Sequence, residues 1–535
     1  LNLRRHRPRS RADTAAFVFA AIALAGCGGA GGADTRISSR DLDSYQFVDA
    51  PFDESARDVF EEGFDLIADR YIDPVDLGNL ATDGLTGLTV IDPSLSVERA
   101  GEAVRVLHED AVIHDFSIAE SDDPDDLSAN MFDAIVAMRS VSPDLGERKS
   151  EAIYAAFFDG MIGSLDAYTR YAGLERAREN RAQREGYGGI GIRIRMEDDV
   201  LEITDVMERT PADRAGLEDR DAITHVDGTT IQGLTLPEAV SRLRGPIGTE
   251  VRLTIRRGDE PEFGVDVERA HIVPQTVEYE RYGDIAYMRI TRFNQRTSIS
   301  LREKIALMRS EAPRPVGLVL DLRDNPGGLL DQAVEVSDIF LADGLILTTH
   351  GRHQDSHQRF EAGGVDYTGG LPMAVLINSQ SASAAEIVAA AMQDNGRAVL
   401  IGTTSFGKGT VQTVFRLPNS AELTLTWSRL FAPSGYVLHG LGILPTVCTA
   451  DQSDEPGSLL AVAHDRGGVT QATLVDWRSS DTVDDPLRTE LRQVCPPGPV
   501  PDEDDFELQA ALLLLGNPVS FQDALMVSAS QVAGR

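Results

Sequence analysis

A serine before a helix and a lysine between glycines are the residues whose types and spacing suit covalent chemistry. Ser381-Ala382-Ser383-Ala384-Ala385-Glu386 falls where a strand turns into a helix, which places Ser383 at a helix N-terminus. Unpaired N–H groups and the helix dipole favour negative charge there, so a nucleophile has backbone donors ready for a developing oxyanion. The same S-x-x-E spacing forms a capping box, and on this segment alone capping is the stronger reading. Gly402 to Lys408 has the GxxxxGK spacing of a phosphate loop. Gly409 stands where a magnesium-binding Ser or Thr belongs, however, and no acidic partner strand is evident, which argues against nucleotide binding. A lysine flanked by glycines after a buried strand can instead be set against another turn. Once buried, it can lose its proton and act as a base. His350, His353 and His357 gather with Asp355 on an expected exposed hairpin, where a solvated loop is favoured over a metal site.

The elements that must position these residues follow from pattern. Val316 to Leu322 and Met373 to Ile377 are apolar runs of strand length, and Ala398 to Gly402 is a third strand. Leu329 to Leu341 and Ser383 to Gln393 read as helices between them, a βαβ layout with a largely parallel core. Upstream, Ile190 to Arg195, Val200 to Val206, Ala222 to Val226 and Val251 to Arg256 are short strands. Pro211 to Leu217 and Pro237 to Leu243 read as helices with proline in the first turn. The chain from Ser55 to Ala182 is mostly helical in pattern: Phe60, Phe64, Ile67 and Tyr71 line one face. The acidic stretch Ser121 to Asp126 reads as a solvated loop. A further helix around Glu151 to Leu165 leads into Leu165-Asp166-Ala167-Tyr168-Thr169-Arg170-Tyr171. After Ala450 a polar stretch leads to a last amphipathic helix, Phe506 to Leu515.

At 535 residues the chain is too long for one core. With 42% apolar and 25% charged residues it has a soluble globular balance. A net charge of −35 repels phosphate backbones and argues against nucleic-acid binding. Three cysteines exclude a disulfide-dense scaffold and any four-cysteine metal site, and none of the ten histidines forms HExxH. Arg4, Arg5, Arg7, Arg9 and Arg11 precede the apolar run Ala15 to Ala25, the layout of a secretory signal too short to span a bilayer. Its ending, Leu24-Ala25-Gly26-Cys27, resembles a bacterial lipobox, with Cys27 the lipidated residue; an ordinary signal peptide is the alternative. Gly28 to Ala33 reads as a flexible tether, and Gly28 in place of Asp resembles outer-membrane sorting in a Gram-negative cell. In an oxidising compartment Cys448 and Cys495 are expected to pair, stabilising by about 4 kcal/mol in the chain-entropy model; two separate buried thiols is the alternative.

Asp321-Leu-Arg-Asp-Asn-Pro-Gly-Gly328, Ser381-Ala-Ser-Ala-Ala-Glu-Ile387, Gln393-Asp-Asn-Gly-Arg-Ala398 and Phe406-Gly-Lys-Gly-Thr-Val-Gln412 occur in this order. Together they resemble the carboxyl-terminal processing peptidases, or tail-specific proteases, over roughly Phe60 to Pro445 plus the helix Phe506 to Leu515. The resemblance implies a multidomain α/β protein with a crotonase-like (ClpP/crotonase) protease core, an inserted PDZ domain and an N-terminal helical region. The expected divisions are a lipoprotein signal at 1–26, a tether at 27–54, the helical region at 55–185 and the PDZ domain at 186–271. The core follows at 272–450 and a C-terminal extension with its helix at 451–535.

The resemblance further implies a Ser–Lys dyad, with Ser383 as nucleophile, Lys408 as general base and Gln412 orienting its amine. Ala384 and one of Gly327 and Gly328 would form the oxyanion hole, and Asp394 would support the structure nearby. An ordinary lysine is only about 0.04% neutral at pH 7, so burial must lower its pKa before it can act. No metal or organic cofactor is implied. Gly188-Gly189-Ile190-Gly191 resembles a PDZ carboxylate-binding loop, and Arg244 matches an arginine that senses a bound tail. The module is flanked by chain on both sides, so it is expected to gate the protease. The implied partners are proteins with exposed apolar C-terminal tails and, through the lipid anchor, a membrane; an adaptor or oligomer stays open. The implied location is the periplasmic side of the cell envelope, at the outer membrane. Ala385, Leu444 and Thr446 depart from the usual pattern, and the region from Tyr71 to Ser164 is longer. The competing readings are a catalytically silent tail-binding envelope scaffold and a crotonase-type acyl-CoA enzyme. A chymotrypsin-like PDZ protease lacks its nucleophile loop and His–Asp pair.

Overall fold

Strands covered on both faces lose the alternation of apolar and polar residues, and the central strands of this protein are so covered. In Gly317–Asp321 and Met373–Ile377, Leu318, Leu320, Met373, Val375 and Ile377 face one apolar layer. Val319, Ala374 and Leu376 face the other. The six-stranded sheet has the order Val277–Tyr282, Ile285–Ile290, Gly317–Asp321, Met373–Ile377, Val399–Gly402 and Val447–Cys448. Its first pair is antiparallel and every later pair parallel. Helices Thr297–Ser310, Leu330–Phe340 and Ala384–Asp394 pack on one face. The helices Phe506–Leu515 and Pro518–Ala529 close the other.

The computed structural model describes residue 52 and residues 54–118, 124–197, 200–450, 471–479, 487–498 and 505–529. The expected signal segment, Cys27 and nearly all of the tether lie outside the described residues, as do residues 121–123 of the acidic stretch. Pro124, Asp125 and Asp126 are not loop: they open the helix Pro124–Val141, where acidic side chains meet the positive end of the dipole.

The N-terminal region is built from helices Glu54–Arg70, Leu77–Gly87, Pro124–Val141 and Ser150–Ile162 around Phe60, Phe64, Phe157 and Phe158. It also carries a three-stranded antiparallel sheet, Leu95–Ala100, Ala103–His108 and Ala111–Ser117, inside the span expected to be mostly helical. Its short strand Arg170–Ala172 pairs with Glu422–Phe431 in a second sheet, ordered Gln358–Glu361, Leu345–His350, Glu422–Phe431 and Thr410–Arg416. Arg181 and Arg184 then bind the buried carboxylate of Glu422. The N-terminal region is thus stitched to the core by backbone and charge.

The inserted module has its own cluster of buried side chains, with strands in the order Phe263–Glu268, Glu250–Arg256, Ala222–Val226, Val200–Val206 and Ile192–Glu197. The last of these is an edge. Chain enters and leaves through an antiparallel pair, Tyr187–Gly189 with Ala270–Ile272.

Two helices absent from the sequence reading, Gln471–Arg478 and Leu487–Arg492, lie between the core and the terminal helices. Their Leu474, Trp477 and Leu491, with Cys495, belong to the main core cluster. A disulfide joins Cys448 to Cys495 across a sequence separation of 47. Closing that loop restricts the unfolded chain, so reduction is expected to lower the unfolding free energy by up to about 4 kcal/mol. Urea denaturation of oxidised and reduced protein measures this. Both thiols should resist alkylation in the native protein until it is reduced.

Candidate active site

Ser383 occupies the turn between strand Met373–Ile377 and helix Ala384–Asp394, with φ 55° and ψ −112°. Such a conformation in a residue with a Cβ costs about 1–3 kcal/mol and must be held by its surroundings. The holding groups are present. Ser381 Oγ donates to the Leu322 carbonyl at 2.8 Å and accepts the Asn378 N–H at 2.9 Å. The Ala382 N–H reaches the Asn325 carbonyl at 2.9 Å. The serine turn therefore rests directly on the Asn325–Gly328 turn.

That second turn is glycine because of the approach. A Cβ on Gly327, at φ 97°, would lie 2.8 Å from Ser383 Cβ and 3.0 Å from Ala384 N. The Gly327 N–H is already bound, to Asn325 Oδ1 at 2.9 Å. Its carbonyl accepts from Phe293, and the Leu329 N–H bonds the Phe293 carbonyl, so the intervening Gly328 N–H has no backbone partner among the described residues.

Glu386 is fully buried one turn into the helix, and its carboxylate collects donors from two separate loops. One oxygen accepts the Ser383 N–H at 2.8 Å and the Lys408 N–H at 2.9 Å. The other accepts the Gly407 N–H at 2.6 Å and the Ser405 hydroxyl at 2.5 Å. Burial pushes its pKa upward, against the opposing pull of these bonds. The S-x-x-E spacing thus caps the helix and also joins the serine turn to the lysine loop. The glycine-rich loop cannot cradle a phosphate with these amides, because Gly407 and Lys408 have given theirs to Glu386. Gly409 is required by packing: a Cβ there would meet His439 N at 1.9 Å.

The Lys408 side chain is largely desolvated, which lowers its pKa; Arg170 lowers it further, while Glu386 and Asp166 oppose the shift. Its Nζ lies 5.0 Å from the centroid of the Tyr168 ring. Among the described residues, the amine makes no hydrogen bond to Ser383 or Gln412. Gln412 instead donates through Nε2 to Thr410 Oγ1 at 2.8 Å and Thr426 Oγ1 at 3.2 Å. Asp394 holds Ser434, accepting both its N–H and its hydroxyl, and pairs with Arg478 at 2.8 Å.

The lysine loop is gripped from behind by the C-terminal extension. Arg492 donates to the carbonyls of Leu441 and Ser405. Arg488 donates to those of Val437 and His439, and Trp477 to that of Gly442. Thr404 Oγ1 closes on the Cys495 carbonyl at 2.5 Å. On the opposite side Arg323, beside the glycine turn, pairs with Asp321, Asp505 and Glu507 and so fixes the helix Phe506–Leu515. These clamps are invisible to motif reading because their partners are distant in sequence. The arginines at 488 and 492, on one helical face, were the available signal.

In the inserted module, the carbonyls of Gly188, Ile190 and Gly191 accept from Gly245, Ala212 and Met207. The Arg244 guanidinium lies 4.0 Å from the centroid of the Tyr187 ring. The histidine hairpin is structural: Arg70 bridges His353 and Asp355, and the His357 ring bonds the Gly351 carbonyl. Among the described residues no cluster of three or more His, Cys, Asp or Glu is arranged to hold a metal.

Residues 284–449 match the family Peptidase family S41, and residues 202–257 match a PDZ domain. A carboxy-terminal-processing protease of Bartonella bacilliformis is 43% identical over 293 residues, 54% of this chain and 68% of that protein. A probable CtpA-like serine protease of Staphylococcus aureus is 33% identical over 304 residues, 56% of this chain and 61% of that protein. Among solved structures, a photosystem II D1 C-terminal processing protease covers 73% of this chain and 92% of its own. It has 21% identity and a TM-score of 0.37.

Glu386→Gln keeps the shape but replaces one acceptor oxygen with an NH2 that faces donors. Leaving buried donors unsatisfied costs about 1–3 kcal/mol each. The variant is expected to lose about 2–4 kcal/mol of stability. Urea unfolding measures it, and a change within 0.5 kcal/mol, roughly the scatter of neutral surface substitutions, would contradict the network.

Proposed function

Because the chain belongs to the carboxy-terminal-processing proteases of peptidase family S41, with a PDZ domain ahead of the catalytic core, it is a serine-type peptidase. We propose that it hydrolyses peptide bonds in proteins with apolar C-terminal tails by a Ser383–Lys408 dyad on a crotonase-like core. The observation that carries this reading is the Glu386 carboxylate, which bonds the backbone of both residues at once. A silent tail-binding scaffold would not need the two loops joined.

In this mechanism neutral Lys408 swings from its resting place to take the Ser383 proton. Ser383 Oγ bonds to the scissile carbonyl carbon, and the oxyanion is held by the Ala384 N–H and the Gly328 N–H, Gly327 being engaged by Asn325. Collapse breaks the C–N bond as Lys408 returns the proton to the leaving amine. A water, deprotonated by Lys408, then hydrolyses the acyl-enzyme. Gln412 leaves its carbonyl oxygen available to steady the amine. Hydrogen bonds of this kind commonly tighten only on substrate binding. The scheme calls for no cofactor.

The PDZ domain supports binding of peptide C-terminal tails, and the loop Gly188 to Gly191 is our choice for the carboxylate. A lipobox at Cys27 and an outer-membrane, periplasm-facing location complete the proposal; both rest on sequence alone. So do the module limits 186–271 and 272–450.

Ser383→Ala and Lys408→Ala are each expected to reduce cleavage at least about a thousandfold with the fold intact. The assay maps cuts in an unfolded, apolar-tailed substrate by mass spectrometry; normal turnover by folded Ser383→Ala would sink the assignment. Because the base must be neutral and its pKa is lowered, kcat/KM should rise with pH along a limb whose midpoint lies below the ordinary lysine value. Arg244→Ala is expected to weaken stimulation of a tailless substrate's cleavage by added tail peptide. Equal stimulation of variant and parent would leave the module as a tether only.

A further inference from the structure

The resting place of the Lys408 amine is an aromatic face supplied by the N-terminal region. Tyr168 lies in the turn before the strand Arg170–Ala172 and is half-buried, yet it belongs to none of the apolar clusters. Its neighbour Tyr171 behaves differently, stacking on Phe158 within the N-terminal core at 4.8 Å. The Tyr168 ring presents one face to Lys408 Nζ at 5.0 Å, within the range of a cation–π contact. The ring of His439 meets it edge to face, with centroids 6.2 Å apart and planes at 81°.

One carboxylate fixes the turn that carries this ring and reaches Gln412 through Thr426. Asp166 accepts the Tyr168 N–H at 2.8 Å, the Thr169 N–H at 3.2 Å and the Thr169 hydroxyl at 2.6 Å. It also accepts the Thr426 hydroxyl at 2.9 Å, and Thr426 Oγ1 accepts from Gln412 Nε2 at 3.2 Å. The Asp166–Thr169 turn therefore touches the Lys408 head group and reaches the Gln412 amide through Thr426.

We propose that the face of Tyr168 is the seat of the protonated Lys408 side chain, making Tyr168 a positioning residue for the general base and Asp166 its anchor. The proposal rests on Lys408 acting as the base. A ring face attracts an ammonium and has no such hold on a neutral amine. The seat thus keeps the charged side chain in the site and releases it toward Ser383 when the proton leaves. The charges around the amine are Glu386 from the nucleophile helix and Asp166 and Arg170 from the turn and its strand. His439 lies beyond the ring, and Arg429 and Arg488 stand near that imidazole.

Holding the cation raises the amine's pKa relative to the same pocket without a π face, so removing the face moves the acidic limb of kcat/KM downward. In the full chain, Tyr168→Phe keeps the face and is expected to retain the parent limb and plateau. Tyr168→Leu keeps bulk only; its limb is expected to fall by roughly 0.5–1.5 pH units, the span of a desolvated cation–π contact. Its plateau kcat, read where the amine is neutral and off the ring, should stay near that of the parent, with KM unchanged. A Leu variant with the parent limb overturns the proposal. So does a Phe variant displaced as far as Leu, which would make the hydroxyl the acting group.

A second readout needs no activity. In Ser383→Ala protein with 13C-labelled lysine, the Lys408 ε-methylene protons should resonate upfield through the ring current and return on adding Tyr168→Leu; an unshifted signal overturns the seat. An upfield signal in a folded parent protein that cleaves nothing supports the seat and overturns the peptidase reading instead.

Discussion

The serine turn and the lysine loop of this protein both depend on one buried carboxylate. Glu386 is out of water, and an ion so placed is tolerated only when its lone pairs are filled. Here they are filled by backbone from the serine turn and from the lysine loop, with Ser405 between them. The cost of exposing unsatisfied donors and acceptors makes the two loops a single unit. Ser383 can therefore be kept in an unfavourable backbone conformation without local flexibility to relieve it.

Around that unit the fold supplies three kinds of support. The parallel strands deliver the serine turn and the lysine loop to their carboxyl ends, as open α/β sheets do for ligand sites. The N-terminal region brings the Asp166–Thr169 turn against the base side, joined through Arg170–Ala172 and the Arg181–Glu422–Arg184 cluster. The C-terminal residues close the back of the lysine loop and, through Arg323, the base of the glycine turn. A site assembled from so many sequence-distant parts explains why no single motif in it is decisive alone.

The core was legible because burial on both sheet faces leaves an uninterrupted apolar run, as in Met373–Ile377. The helix at Ala384 was legible through its Ser and Glu spacing. The order of four motifs carried the family. The meander at Leu95–Ser117 was not legible: its strands are short with few buried residues, and they alternate weakly. Neither were the helices Gln471–Arg478 and Leu487–Arg492, each too short for a periodic stripe to emerge. Tyr168 was read past because an aromatic before a strand looks like core until its neighbours are known. Gly327 and Gly328 were indistinguishable in sequence; the Asn325 side chain separates them.

The clasp formed by Trp477, Arg488, Arg492 and Cys495 has a temporal meaning. A chain emerges from its N-terminus, and domains form in that order. Ser383 and Lys408 are both made well before the residues that grip the lysine loop, and the sulfur bridge at Cys448 waits for Cys495. An unfinished chain therefore holds Ser383 and Lys408 without the brace that grips the lysine loop. The lysine loop is thus the last part of the site to be held, and only a finished chain can hold it.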